Sequence, residues 1–110
     1  MRLMAGPTRV SAGRVRLVAS NLGRRTHELV VLPLAPRTPA GRRQVVDRQV
    51  GESDSLGEAS ASCAPGEGAG IRPGRVGWVS LDLGPGRYEL VCNRRGHYEA
   101  GMHAVLLVRP

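Results

Sequence analysis

The sequence predicts an all-β fold, a Greek-key β-sandwich of about seven strands. Three observations lead there. Short apolar runs recur every ten or so residues, and the 15 Gly and 8 Pro of the 110-residue chain fall largely between them as turn residues. Several runs alternate apolar and polar side chains with the period of a half-buried strand. No stretch suggests a long helix, and long Greek-key connections suit the spacing. A chain of this length makes one domain, residues 1–110, with one modest core. Phe is absent and aromatics are 3% of the chain, so Val, Leu and Ala must fill that core.

The elements follow in order. Residues 1–10 read as a short first strand, and Ser11-Ala12-Gly13 as a turn. Arg14–Ser20 alternates Val15, Leu17 and Ala19 with Arg14, Arg16 and Ser20, which is a half-buried strand. Asn21-Leu22-Gly23 turns the chain into Glu28–Leu34, an apolar, β-branched run. The stretch between residues 33 and 74 reads as one long irregular loop. Pro33, Pro36 and Pro39 interrupt it, Gln44–Val50 offers one short strand, and Leu56-Gly57-Glu58-Ala59 offers one helical turn. Alternation returns at Trp78–Leu83. Leu83-Gly84-Pro85-Gly86 is a tight turn, and Tyr88, Leu90 and Cys92 share one face of the strand after it. His103–Val108 closes the fold. Tyr88 stands where a Greek-key tyrosine corner would bond back to nearby backbone.

The net charge is +7, carried by 16 Arg against 9 acids. The arginines are scattered and form no basic helix or aromatic-interleaved stripe, so the charge reads as a solvated surface and not as a nucleic-acid site. No run is long enough to span a bilayer, and the N-terminus has no apolar signal region. No dinucleotide fingerprint, phosphate-cradling loop or Ser/His/Asp order points to an enzyme.

The chemistry gathers in Tyr88–Val108. There Cys92, His97 and Met102 are separated by four residues each, in a loop between two strands. Thiolate, imidazole and thioether are ligands that suit copper, and an electron-transfer copper site uses two His, one Cys and a weak axial Met. The second imidazole must come from elsewhere, and His27 at the start of an apolar strand is the candidate. His103 is adjacent to Met102 but points away from it on a strand. Zinc fits less well, because a structural zinc site needs four strong Cys or His ligands.

Asn21-Leu-Gly23 followed by His27-Glu-Leu-Val30, Pro85 to Asn93, Gly96-His-Tyr98 and Gly101-Met102 together resemble the cupredoxins, small blue copper domains. The likeness is greatest to the plastocyanin/azurin-like and sulfocyanin-like branch. The resemblance implies His27, Cys92 and His97 as strong ligands and Met102 as the axial one, around one copper cycling between Cu(I) and Cu(II). It implies a type 1 copper protein that carries single electrons between extracytoplasmic redox partners, as a monomer, with His97 as the exposed ligand. It also implies a mature or trimmed domain, periplasmic or at the cell surface. Relatives usually carry Pro where this chain has Arg95, which removes a φ lock beside the site. Arg94 and Arg95 make an acidic partner the expected one. The alternative is a copper carrier or sensor domain without electron turnover. A third reading pairs Cys63 with Cys92 as a disulfide in a metal-free interaction module.

Overall fold

The computed structural model describes residue 3 and residues 6–60 and 70–110. Nine strands form among these: β1 (Arg9–Ser11), β2 (Gly13–Ser20), β3 (Val30–Leu34), β4 (Val45–Val46), β5 (Gln49–Val50), β6 (Gly57–Glu58), β7 (Val76–Leu83), β8 (Gly86–Val91) and β9 (His103–Arg109). Five of them make one sheet in the order β1-β9-β8-β3-β6, with β1 parallel to β9 and the other pairs antiparallel. Strands β2 and β7 pair along their full length as the facing sheet, and β4 and β5 make a separate hairpin. The expected all-β sandwich is present.

The main core lies between the sheets. Val15 from β2 and Leu83 from β7 meet Val31, Leu90, Leu106 and Val108 from the five-stranded sheet. Alternation in β2 and β7 delivers these side chains inward and leaves Arg14, Arg16 and Ser80 outside. A second cluster, Val30, Leu32, Val50, Val91 and Tyr98, covers the opposite face of the large sheet. That explains the unbroken apolar run Leu29–Leu32, since a strand buried on both faces has no reason to alternate. Each such Val or Leu contributes about 1.5–3 kcal/mol by leaving water. Tyr88 Oη donates to the Gly84 carbonyl at 2.7 Å, the bond expected of a tyrosine corner.

Three local expectations fail. Pro33 does not open an irregular loop; it lies inside β3, paired with Tyr88, in the strand expected over Glu28–Leu34. Strand β6 covers β3 only at Val30 and Val31, so at Pro33 β3 is an edge strand whose missing N–H costs no ladder bond. The helical turn expected over residues 56–59 is instead strand β6. Its β3 partners satisfy the backbone: Leu56 and Ala59 donate to Val31 and Leu29 carbonyls at 2.8 and 2.9 Å. The residues 33–74 connection is irregular at both ends but holds the β4–β5 hairpin and β6 in between. Cys63 lies outside the described residues, and Cys92 is a free, buried thiol, contrary to the reading that pairs the two in a disulfide.

Candidate metal centre

Cys92 follows the last residue of β8, on the inward face, and is fully buried. Its amide donates to the Met102 carbonyl at 3.0 Å, which closes the base of the loop just before β9 begins. Within the loop, the His97 amide bonds the Arg94 carbonyl and the Met102 amide bonds the His97 carbonyl. These short-range bonds turn the segment back on itself, so that His97 comes over Cys92. His27 arrives from the other side. Its backbone pairs with Ile71 in both directions, at 3.0 and 2.6 Å. Asn21 anchors the preceding turn: Nδ2 donates to the Arg25 and Ile71 carbonyls and Oδ1 accepts from the Gly23 amide.

The three donor atoms converge. His27 Nδ1 and His97 Nδ1 are 3.1 Å apart, and Cys92 Sγ lies 3.3 Å from His97 Nδ1 and 3.7 Å from His27 Nδ1. The point equidistant from all three is about 2.0 Å from each, the distance at which an imidazole nitrogen binds a first-row metal. Among the described residues this is the one group of His, Cys and acidic side chains placed to hold a metal ion. The donor set fits copper better than zinc, being one thiolate and two imidazoles in a trigonal array. Met102 is 5% exposed and tied through its backbone to both Cys92 and His97. His103 stays out of the cluster; at the start of β9 it pairs with Val91 of β8, and its ring centroid lies 5.3 Å from that of Tyr98.

The exposure of the two imidazoles differs from expectation. His97 is buried at 7% exposure, while His27 is half-buried. The loop folds back over His97, whereas His27 sits at the end of an open turn. Glu28 also acts through its backbone: its amide donates to Cys92 Sγ at 3.2 Å, a bond that favours the thiolate.

Burial sets the protonation states. It raises the Cys92 thiol above the ordinary 9.0, against the opposing amide bonds from Glu28 and Arg94. It lowers His27 and His97 below 6.5, helped by the Arg25 and Arg94 guanidiniums and, for His97, by His27. Around neutral pH and without metal, both shifts favour the uncharged forms, thiol and imidazole. Because both histidines bind protons more weakly folded than unfolded, their contribution to stability is complete above about pH 6.5 and is lost as pH falls below it. The thiol has the opposite sign, and its contribution is lost as pH rises through about 9. Urea midpoints of the metal-free protein are expected to peak between those limits. In His27→Gln/His97→Gln the fall just below pH 6.5 should shrink.

Adjacency to the ligands in sequence singles out Asn93 and Glu28 as contributors around the site, and both make such contacts; the partners of Tyr98, Glu89 and Arg95 carry no such signal. Asn93 uses its side chain as a strand would: Oδ1 accepts from the Val50 amide at 2.8 Å, and Nδ2 donates to the Val50 carbonyl at 2.9 Å and to Glu52 at 2.6 Å. Tyr98 Oη donates to Glu89 at 2.9 Å, and Glu89, at 0% exposure, also accepts from Arg43 Nε and the Gly41 amide, both at 2.7 Å. Arg95 grips Asp47 with two bonds of 2.8 and 3.0 Å. An Asn directly after the Cys and a lone Glu among apolar strand residues were the only sequence signals for this network.

Neither a protein-family model nor a curated protein sequence matches the chain. Solved structures do. Reduced auracyanin from the photosynthetic bacterium Roseiflexus castenholzii superposes with a TM-score of 0.65 at 17% identity, covering 93% of this chain and 82% of that one. Reduced rusticyanin superposes with a TM-score of 0.56 at 19% identity, covering 92% of this chain and 61% of that one. A second structure, of the copper protein rusticyanin, gives a TM-score of 0.57 at 20% identity with similar coverage. The fold is that of a cupredoxin. The chain spans about three fifths of the rusticyanin length. In this cupredoxin fold the cluster lies where β8, the following loop and the segment before β3 meet at one end of the sandwich.

Proposed function

We propose that residues 1–110 form a single type 1 copper domain that carries single electrons between redox partner proteins outside the cytoplasm. The convergence of His27 Nδ1, His97 Nδ1 and Cys92 Sγ carries this reading. These three would hold copper, and Met102, buried beside them in the same loop, would be a weak fourth donor. When bound, the ion supplies a one-electron couple between Cu(II) and Cu(I). The chain's part is to keep its donors nearly fixed through that change, so that little reorganisation accompanies transfer. Cys92 and His97 are fixed by the backbone bonds of their loop and His27 by its pairing with Ile71. Burial excludes water from the thiolate, and the Glu28 amide supports its charge. No helix among the described residues is long and apolar enough to cross a membrane. The reading is of a monomeric carrier, not an enzyme.

Potentiometry separates this from the copper carrier or sensor. A reversible one-electron couple, with copper retained against a chelator in both oxidation states, is expected. Ready release of copper to the chelator on reduction would instead favour the carrier.

The expected partner surface is acidic, for a reason that shifts from the sequence reading. Arg95 is engaged with Asp47 and is not free to dock. Arg14, Arg43 and Arg48 are paired with Asp82, Glu89 and Glu99, and Arg87 bonds the Ala35 and Thr38 carbonyls. No ion pair among the described residues engages Arg24, Arg25, Arg72, Arg75 or Arg94, and all five are exposed. Arg25 and Arg94 act electrostatically on both imidazoles, and backbone bonds join the Arg72–Arg75 turn to Asn21, whose side chain bonds the carbonyl of Ile71, the backbone partner of His27. Oxidation of the reduced copper form by hexacyanoferrate(III), an anionic probe, should slow as salt rises. Arg25→Glu should slow it roughly three- to tenfold at low salt, whereas Arg109→Glu at the far end of β9 should not. Equal effects from both would reduce the effect to net charge.

A further inference from the structure

The outer ties of the ligand loop converge on one segment, residues 41–52. Asn93, at the loop's start, pairs its side chain with both backbone groups of Val50, and Gln49 Nε2 donates to its carbonyl at 2.8 Å. At the loop's tip, the Gly96 amide donates to the Arg48 carbonyl at 2.9 Å, and Arg95 forks onto Asp47. Beyond His97, Tyr98 Oη takes a bond from the Arg43 amide at 3.1 Å and gives one to Glu89. The residues on both sides of His97 are thus tied to residues 41–52.

The contact is built on both sides. Gly96 has φ of 81°, a left-handed conformation that favours glycine, and it lies against the Arg48 guanidinium. Asp47 and Arg48 form the two-residue turn between β4 and β5 with φ of 53° and 65°. Gly and Asn normally occupy such a turn, and an arginine rarely does. Both residues are nonetheless committed to the loop, Asp47 through Arg95 and Arg48 through Gly96, with Arg48 Nε also 3.7 Å from Glu99. Arg95 carries no φ lock of its own, so its constraint comes from the Asp47 fork.

We infer that residues 41–52 act as a brace that fixes the position of His97 before any metal binds, with Asp47, Asn93 and Tyr98 as positioning residues. This rests on the reading of His97 as a ligand. The brace touches no donor atom of the cluster. It acts by denying the loop the freedom to swing His97 away from Cys92 and His27.

The test is hydrogen exchange on the 110-residue chain without metal, followed by potentiometry of the copper-loaded form. In Asp47→Ala/Tyr98→Phe, exchange at the Gly96 and His97 amides should quicken about tenfold, while amides of Val31 and Leu90 keep their wild-type rates. The reduction potential of the loaded variant should shift. Asp47→Glu, which keeps the carboxylate, should restore most of the protection lost at position 47. Arg14→Ala, which breaks an equally exposed ion pair on β2 and β7, should change neither readout. Unchanged exchange at Gly96 and His97 would overturn the brace. So would an acceleration shared with Val31 and Leu90, or an unaltered potential. If the wild type formed no copper–thiolate absorption, the copper reading would fall, and the exchange rates would still decide whether the segment braces His97.

Discussion

Glu89→Ala is expected to destabilise the protein by about 3–5 kcal/mol, a large part of what holds a domain of this size folded. Glu89 is wholly buried on the outer face of the five-stranded sheet. Its carboxylate accepts from Arg43 Nε, the Gly41 amide and Tyr98 Oη. Truncation leaves a mostly buried guanidinium, an amide and a phenol without that acceptor, and the cost of uncompensated burial exceeds the worth of the pair itself. Arg43 keeps only a long 3.7 Å contact to half-exposed Asp54 and its bond to the Pro33 carbonyl. Thermal or urea unfolding of the metal-free protein checks this. A loss under 1 kcal/mol would mean that water replaces the carboxylate, as it does for exposed pairs. Arg14→Ala is the matched comparison, since its pair with Asp82 is 66% and 81% exposed and should be worth well under 1 kcal/mol.

Cys92→Ser should abolish the intense visible absorption of the copper-loaded protein and weaken copper binding at least a hundredfold, beyond what losing an outer-shell contact costs. The hydroxyl is smaller, harder and far less acidic than the thiol, so it offers no soft anionic donor. The fold should survive, because Cys92 packs at the end of the core and Ser is nearly isosteric. Its hydroxyl still faces the Glu28 amide, which donates to Sγ at 3.2 Å in the wild type. Titration with Cu(II), read by absorbance and by competition with a chelator, checks both parts. Retained colour in the variant would place the chromophore elsewhere.

The cluster was legible because most of it is local. Cys92, His97 and Met102 lie in one loop between two strands, so their spacing alone brings them to one end of the fold. His27 needed the added context of the Asn21–Val30 segment. The strands with clean alternation, β2 and β7, and the turn into β8 also read directly. The brace did not, because its contacts join residues far apart in sequence: Asn93 with Val50, Arg95 with Asp47, Arg43 with Glu89. In the sequence Glu89 looks like the polar face of a half-exposed strand, and only the fold shows that residues 41–52 cover that face. Pro33 misled for a related reason, since whether a proline interrupts a strand depends on whether a neighbour needs its N–H, and β6 stops short of it. The exposure of the imidazoles was likewise set by how the loop folds over His97, which no local pattern encodes.

X-ray absorption at the copper edge of the stoichiometrically loaded protein tests the central claim most directly. Two imidazole nitrogens and one short copper–sulfur contact are expected, with the sulfur contribution lost in Cys92→Ser and one nitrogen lost in His27→Gln. A first shell of oxygen and nitrogen alone, unchanged by Cys92→Ser, would contradict a copper centre built from His27, Cys92 and His97.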